Sequence, residues 1–432
     1  MKRAAYRALA GAAIVLVLAA AATLAWQRHG QDDSNVPEPL IADAASPALV
    51  ERGAYLARAG NCMACHSARG GVPYAGGRAI TTPFGAVFSS NITPDRQTGL
   101  GNWSASDFWR ALHHGQSRDG RLLYPAFPYT NYTEVSRADS DALHAFLMQL
   151  PPAVQPATAH TLRWPFNTQA ALTVWRALYF SPGGYEPDTQ QTTEWNRGAY
   201  LVRGLGHCSA CHSTRNALGA NNTPLDLAGG LIPMQNWYAP SLTSALEAGV
   251  ADWSTPDIVA LFKTGVSPRG SVLGPMAEVV LHSTQHLSDA DLGAMAVFLK
   301  SLPPAAVRAA PAAAGASASS PVFSAGSKLY EKNCAQCHGE QGQGVPGAYP
   351  PLAGNRAVTM ASSANLVQVV LNGGYAPATA GNPRPYGMPP FVLVLNDSEL
   401  AALLTYLRSA WGNRAAEVTP TEVQRMRSEN QR

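Results

Sequence analysis

Six cysteines occur in the 432 residues, and all six fall within three copies of one pattern. The copies are Cys62-Met63-Ala64-Cys65-His66, Cys208-Ser209-Ala210-Cys211-His212 and Cys334-Ala335-Gln336-Cys337-His338. Two thiols separated by two residues, with His directly after the second, make the attachment sequence for c-type haem. The thiols add to the haem vinyl groups as thioethers, and one turn of chain spans the vinyl separation. The histidine then lies under the iron as its fifth ligand. A thioredoxin-like redox pair or a zinc knuckle has no need of His after each pair. No cysteine is left for a disulfide or a free nucleophile. The expectation is three covalently bound haem c groups, attached through Cys62, Cys65, Cys208, Cys211, Cys334 and Cys337, with His66, His212 and His338 on the irons.

A sixth ligand is expected in a loop between each motif and the end of its domain. Methionine sulfur suits a high-potential carrier because it favours reduced iron. Met388, in Pro385-Tyr386-Gly387-Met388-Pro389-Pro390, fits the third haem better than Met360. Met276, in Gly274-Pro275-Met276-Ala277, fits the second better than Met234 or Met295. The first stretch, Tyr124-Pro125-Ala126-Phe127-Pro128-Tyr129, has phenylalanine where methionine is expected. Four states of the first iron stay open: five-coordinate, or ligated by Met148, His113 or His114. Each fifth-ligand histidine should donate its other ring N–H to a backbone carbonyl. Pro83, Pro240 and Pro350 are candidates to place it.

These residues need helices to hold them. The motifs start 146 and 126 residues apart, about one domain each. A helix over 49–59 should lead into Cys62. Its Arg52-Gly53-Ala54-Tyr55-Leu56 returns as Arg197-Gly198-Ala199-Tyr200-Leu201, with a weaker echo in Gly326 and Leu329-Tyr330. Glycine at this place allows close approach of another helix. Trp103-Ser104 with Asp107, and Trp253-Ser254 with Asp257, read as capped helix starts, ended by Gly115 and Gly265. Closing helices are expected over 140–150, 288–302 and 397–408, the first two stopped by Pro151-Pro152 and Pro303-Pro304.

The fold expected is mainly α: three consecutive class I cytochrome c-like domains behind an N-terminal hydrophobic segment. Its parts are a signal peptide or membrane anchor (1–29), a tether (30–46), domain 1 (47–152), a connector (153–195), domain 2 (196–304), an Ala/Ser linker (305–320), domain 3 (321–412) and a polar tail (413–432). In the connector, Trp164, Phe166, Trp175, Tyr179 and Phe180 suggest packing on the domains. Net charge is +3, nearly balanced, and argues neither for nucleic acid nor for a strongly charged soluble partner, so no nucleic acid is expected. Lys2, Arg3 and Arg7 precede an uncharged run from Ala8 to Trp26. That describes either a cleaved export signal or a retained anchor. Both place the rest on the periplasmic side of the bacterial inner membrane.

Further stretches carry a resemblance. They include Gly60-Asn61-Cys62 to His66, Pro83-Phe84-Gly85, Ser90-Asn91-Ile92-Thr93-Pro94-Asp95, and Asp119-Gly120 with Leu123-Tyr124-Pro125-Ala126. Trp195 to Leu201, Gly274 to Val280, Ser283-Thr284-Gln285, Pro350 to Asn355 and the segment around Met388 continue it. The chain resembles the tri-haem cytochrome c subunits of bacterial membrane-bound dehydrogenases for alcohol, aldehyde, gluconate, fructose or sorbitol, and of some molybdenum hydroxylases. The resemblance implies His/Met ligation, carried onto Met276 and Met388, with Phe127 as a departure that also looks like the molybdenum-hydroxylase branch. It implies a catalytic dehydrogenase partner of flavin, quinoprotein or molybdenum type, a small third subunit as an optional partner, and ubiquinone or a terminal oxidase as acceptor. The chain would be an electron-transfer subunit without a substrate site: it has neither a G-x-G-x-x-G at a strand–helix junction nor a Ser/His/Asp arrangement. The competing classes are a peroxidase-like haem enzyme using an open first iron, and a free-standing carrier.

Overall fold

The computed structural model describes residues 46–221, 227–304 and 315–429. Both the hydrophobic N-terminal run and most of the tether lie outside the described residues. Among the described residues no helix is long and apolar enough to cross a membrane.

The fold is mainly helical. In chain order the helices are α1 (Pro47–Ala59), α2 (Ala105–His114), α3 (Arg137–Leu147), α4 (Gln169–Tyr179), α5 (Thr193–Tyr200) and α6 (Thr255–Thr264). They continue with α7 (Pro275–His282), α8 (Asp289–Ser301), α9 (Pro321–Asn333), α10 (Ala364–Asn372), α11 (Asp397–Ser409) and α12 (Pro420–Glu429). Short antiparallel hairpins fill the loops, chiefly Ala79–Thr82 with Gly85–Phe88 and Gly230–Ile232 with Trp237–Ala239.

One crossing occurs three times. The helix before each motif lies across the closing helix: α1 on α3, α5 on α8, α9 on α11. Glycine makes each crossing possible. A Cβ at Gly53 would lie 1.9 Å from the Ala142 carbonyl oxygen, one at Gly198 1.9 Å from that of Ala294, and one at Gly326 2.2 Å from that of Ala402. No side chain fits there.

The caps follow the sequence signals, with one shift. Ser104 and Asp107 form a reciprocal capping box on α2, and Gly115 ends that helix at φ 59°. Ser254 caps α6, which Gly265 ends at φ 79°. The first closing helix starts at Arg137 rather than Ser140, because the Ser136 hydroxyl accepts from the Asp139 N–H. Helix α5 starts at Thr193, capped by Thr192. The polar tail also differs from expectation. It contains α12, which buries Val423 and Met426 in the third core. Arg427 fixes it to Asp397 at 2.7 Å.

The first two domains share one continuous hydrophobic core, from Leu49 and Leu56 through Leu205 to Phe298 and Leu299. The third has its own, built on Val367, Leu371, Leu400 and Leu404. The connector straddles the first two: Arg176 donates to the His114 carbonyl at 2.6 Å, and the Trp175 indole to the Leu218 carbonyl at 3.0 Å. Trp164, expected to pack with it, is instead 80 % exposed.

Candidate haem-attachment sites

The three motifs fold alike. Each makes one helical turn in which the histidine N–H donates to the carbonyl of the first cysteine at 2.9 Å. This i to i+4 closure holds both thiols and the imidazole in one fixed arrangement.

The imidazoles are also held alike. Nδ1 of His66 lies 2.7 Å from the Ser90 carbonyl oxygen, that of His212 2.7 Å from Pro240, and that of His338 3.0 Å from Pro350. A carbonyl can only accept, so Nδ1 carries the hydrogen and Nε2 keeps its lone pair. Burial holds all three below the ordinary histidine pKa, so the rings are neutral. That is the tautomer an iron ligand needs. Pro240 and Pro350 place the carbonyl as the sequence suggested. Pro83 does not: it sits in the turn of the first hairpin, where its carbonyl accepts from Arg163.

The first cysteine of each motif is half-buried, while Cys65 and Cys211 are exposed. Burial, reinforced by the second thiol of the same motif, pushes Cys62, Cys208 and Cys334 up to about 12. Among the described residues no group of three or more His, Cys, Asp or Glu could hold a bare metal ion. Two thiols and one imidazole in each motif are instead the donor set for covalent attachment of a macrocycle that brings four iron ligands of its own.

Two arginines escaped the sequence reading. Arg78 donates to the Ala64 carbonyl at 2.5 Å, and Arg215 to the Ala210 carbonyl. Ala64 and Ala210 hold the same place, just before the second cysteine. Sequence distance hid the equivalence, since Arg78 reaches back 14 residues and Arg215 only 5.

Met276 is the second residue of α7, after Gly274 at φ 57°. A Cβ on Gly274 would lie 2.7 Å from the Trp237 ring. Met388 lies in a two-residue strand paired with Gly374–Tyr375 and packs on the core that Cys334 also lines. Of their rivals, Met295 and Met360 are buried core residues and Met234 is exposed. Phe127 packs 5.3 Å from the Tyr132 ring, whose hydroxyl donates to the Gly60 carbonyl at 3.2 Å, close to Cys62. His113 stacks on Trp109 at 4.3 Å. The His114 ring meets that of His113 edge-on, and Met148 ends α3 against the shared core.

The cytochrome c family matches residues 50–151 and 323–411. The cytochrome c subunit of the quinone alcohol dehydrogenase of Gluconacetobacter polyoxogenes is 39 % identical over 89 % of this chain and 85 % of its own. The chain belongs to the cytochrome c subunits of dehydrogenases. The gluconate 2-dehydrogenase cytochrome c subunit of Pantoea cypripedii is 37 % identical, covering 90 % of this chain and 92 % of its own. The fructose dehydrogenase cytochrome subunit of Gluconobacter japonicus is 36 % identical, covering 90 % of this chain and 85 % of its own. As in other cytochromes c, the cofactor of this family member is covalently bound haem c.

Proposed function

We propose that the chain carries three haem c groups and is the electron-transfer subunit of a dehydrogenase complex. In this reading Cys62 and Cys65, Cys208 and Cys211, and Cys334 and Cys337 form the thioethers. His66, His212 and His338 are the fifth ligands, and Met276 and Met388 are the sixth ligands of the second and third irons. The catalytic partner is a dehydrogenase subunit, as the names of the relatives suggest. The acceptor is ubiquinone or the respiratory chain, at the periplasmic face of the inner membrane. Bound haem would supply reversible one-electron chemistry. The chain's own residues would hold its orientation through the carbonyls on each imidazole Nδ1, and burial favours the neutral rings.

The observation that carries this reading is the threefold recurrence of one local geometry, an imidazole fixed through Nδ1 on a backbone carbonyl, one turn beyond the first of two thiols. The test is the intact mass and pyridine haemochrome of the purified holoprotein. Three attached groups are expected, falling by one in each of Cys65→Ser, Cys211→Ser and Cys337→Ser. Two groups in the wild type would overturn the count. Electron transfer is checked by reduction of the cytochrome with the co-expressed dehydrogenase subunit and its substrate, followed by reoxidation with a soluble ubiquinone.

A further inference from the structure

The contacts between the first two domains are reciprocal, and they converge on the attachment loops. Asn131 follows Phe127 in the first domain, in the short helix Tyr129–Tyr132. Its amide crosses to the second domain, donating to the Arg203 carbonyl at 2.8 Å and the Ser209 hydroxyl at 2.9 Å. Ser209 lies inside the second motif. Conversely, Ser283 follows α7, the helix that bears Met276. Its hydroxyl crosses to the first domain and donates to the Ala59 carbonyl at 3.2 Å, just ahead of Cys62. Asn131, Ser209 and Ser283 are all buried.

Other groups brace the same junction. The His207 ring, next to Cys208, meets Tyr132 edge-on at 5.6 Å. A Cβ on Gly60 would lie 3.4 Å from both the Cys62 sulfur and the Leu205 side chain of the second domain. Arg78, held on the Ala64 carbonyl, also reaches Glu278 of α7 at 3.3 Å.

We propose that the first two haem sites form one coupled unit, in which the distal segment of each is fixed by the attachment loop of the other. Asn131 and Ser283 are the positioning residues. The proposal rests on the reading of these motifs as haem sites. Neither residue touches iron. Each ties the segment facing one haem to the loop that carries the other. A change of ligation or charge at one site is therefore transmitted to the other through buried hydrogen bonds, which are costly to leave unmade. Among the described residues, the third domain has no such exchange with the motifs of the first two.

The test is a redox titration of the full-length holoprotein followed by electron paramagnetic resonance, with signals assigned through Met276→Ala and Met388→Ala. Asn131→Leu should change the oxidised-to-reduced ratio of the second haem at its wild-type midpoint by about threefold or more, the response to losing buried hydrogen bonds. Ser283→Ala, which deletes one oxygen and leaves the packing in place, should move the first haem in the same way. The third haem is the internal reference. Cross-domain shifts with a stationary third haem uphold the proposal. Effects absent from the other domain, or equal at all three haems, overturn it. Haem mass on the same samples keeps the two readings apart. Three attached groups without cross-domain shifts overturn the coupling alone, and fewer than three overturn the haem reading beneath it.

Discussion

The first two domains and the third use the same crossing of helices but cap the closing helix differently. In the third, the Asn396 backbone N–H donates to Glu399, three residues on in its own helix, at 2.9 Å. In the other two, the residue at that third position is Asp139 or Asp291, and its carboxylate is engaged elsewhere. Asp139 receives Arg52 at 2.8 Å and the Tyr200 hydroxyl at 2.6 Å. Asp291 receives Arg197 at 2.8 Å and the Tyr55 hydroxyl at 2.6 Å. The backbone N–H left over, at Ser136 or Ser288, donates to that same tyrosine oxygen at 3.1 Å. Each arginine serves its own domain and each tyrosine serves the neighbour. The third domain satisfies its N-cap N–H itself, and the first two satisfy theirs through one another.

The difference teaches what the Arg-Gly-Ala-Tyr repeat encodes. Glycine sets the crossing within a domain, and the tyrosine two places on sets the pairing between domains. Around Gly326 the same places hold Ala325 and Lys328. The third domain can therefore dock by a smaller, polar contact. Asn365 exchanges two hydrogen bonds with the Tyr238 backbone, at 2.8 and 2.7 Å, and Arg356 pairs with Asp252 at 2.8 Å.

The strongest way to break this comparison is at the crossings. Gly53→Val and Gly326→Val place the same methyl groups against the same kind of carbonyl, and each should cost more than the roughly 1–3 kcal/mol of ordinary overpacking. Because the first two domains share one core, Gly53→Val should strip haem from both their motifs and leave the third loaded. Gly326→Val should strip only the third. Haem mass and visible absorbance count the groups retained. Loss confined to the first motif in Gly53→Val would mean that the shared core is not one cooperative unit.

The tyrosines sharpen it further. Tyr200→Phe removes a hydrogen bond to a carboxylate that is 2 % exposed. It should cost about 1.5–3 kcal/mol, the usual worth of a bond to a charged group. Tyr55→Phe should cost somewhat less, since Asp291 keeps a bidentate Arg197. Glu399→Ala should cost about 0.3–1.5 kcal/mol and only in the third domain. Urea unfolding followed by haem absorbance measures all three. A Tyr200→Phe chain that loses stability only in the second domain would argue against reciprocal capping.

Much of this was legible in the sequence, and the rest was hidden for specific reasons. Cysteine spacing, the three glycines and the Ser-x-x-Asp caps are local signals, and local signals survive folding. The carbonyl beneath His66 was not local. A hairpin separates Pro83 from the ring, so the partner is Ser90. The tyrosine exchange was invisible because the repeat is equally consistent with packing inside one domain. Arg52 and Gly53 do act there, and only contacts more than 230 residues apart reveal the role of Tyr55. Helix α12 was missed because a short helix that buries only Val423 and Met426 has too few apolar positions to show a period.

The smallest effect contrasts the two regions in acid. His338 is the only histidine after residue 320, whereas the first two domains hold several that burial keeps below the ordinary value. His113 is the extreme case. Burial, then the neighbouring His114, pushes it down from 6.5 to about 4. Unfolded chain takes up a proton near pH 6.5, but the folded site refuses it until about 4. The unfolded state thus binds more protons in this window, and stability falls as pH falls through it. The contribution is fully present above 6.5 and lost by about 4. Solvent at the partly exposed ring edge reduces it, so His113→Gln should raise Tm at pH 5 relative to pH 7 by about 2–4 °C. Melts of both chains at the two pH values measure the difference, which should appear in the transition of the paired domains and not in that of the third. An equal slope in wild type and variant would assign the acid sensitivity to other buried histidines of the pair, with His144, at 3.2 Å from the Trp103 carbonyl, the next to substitute.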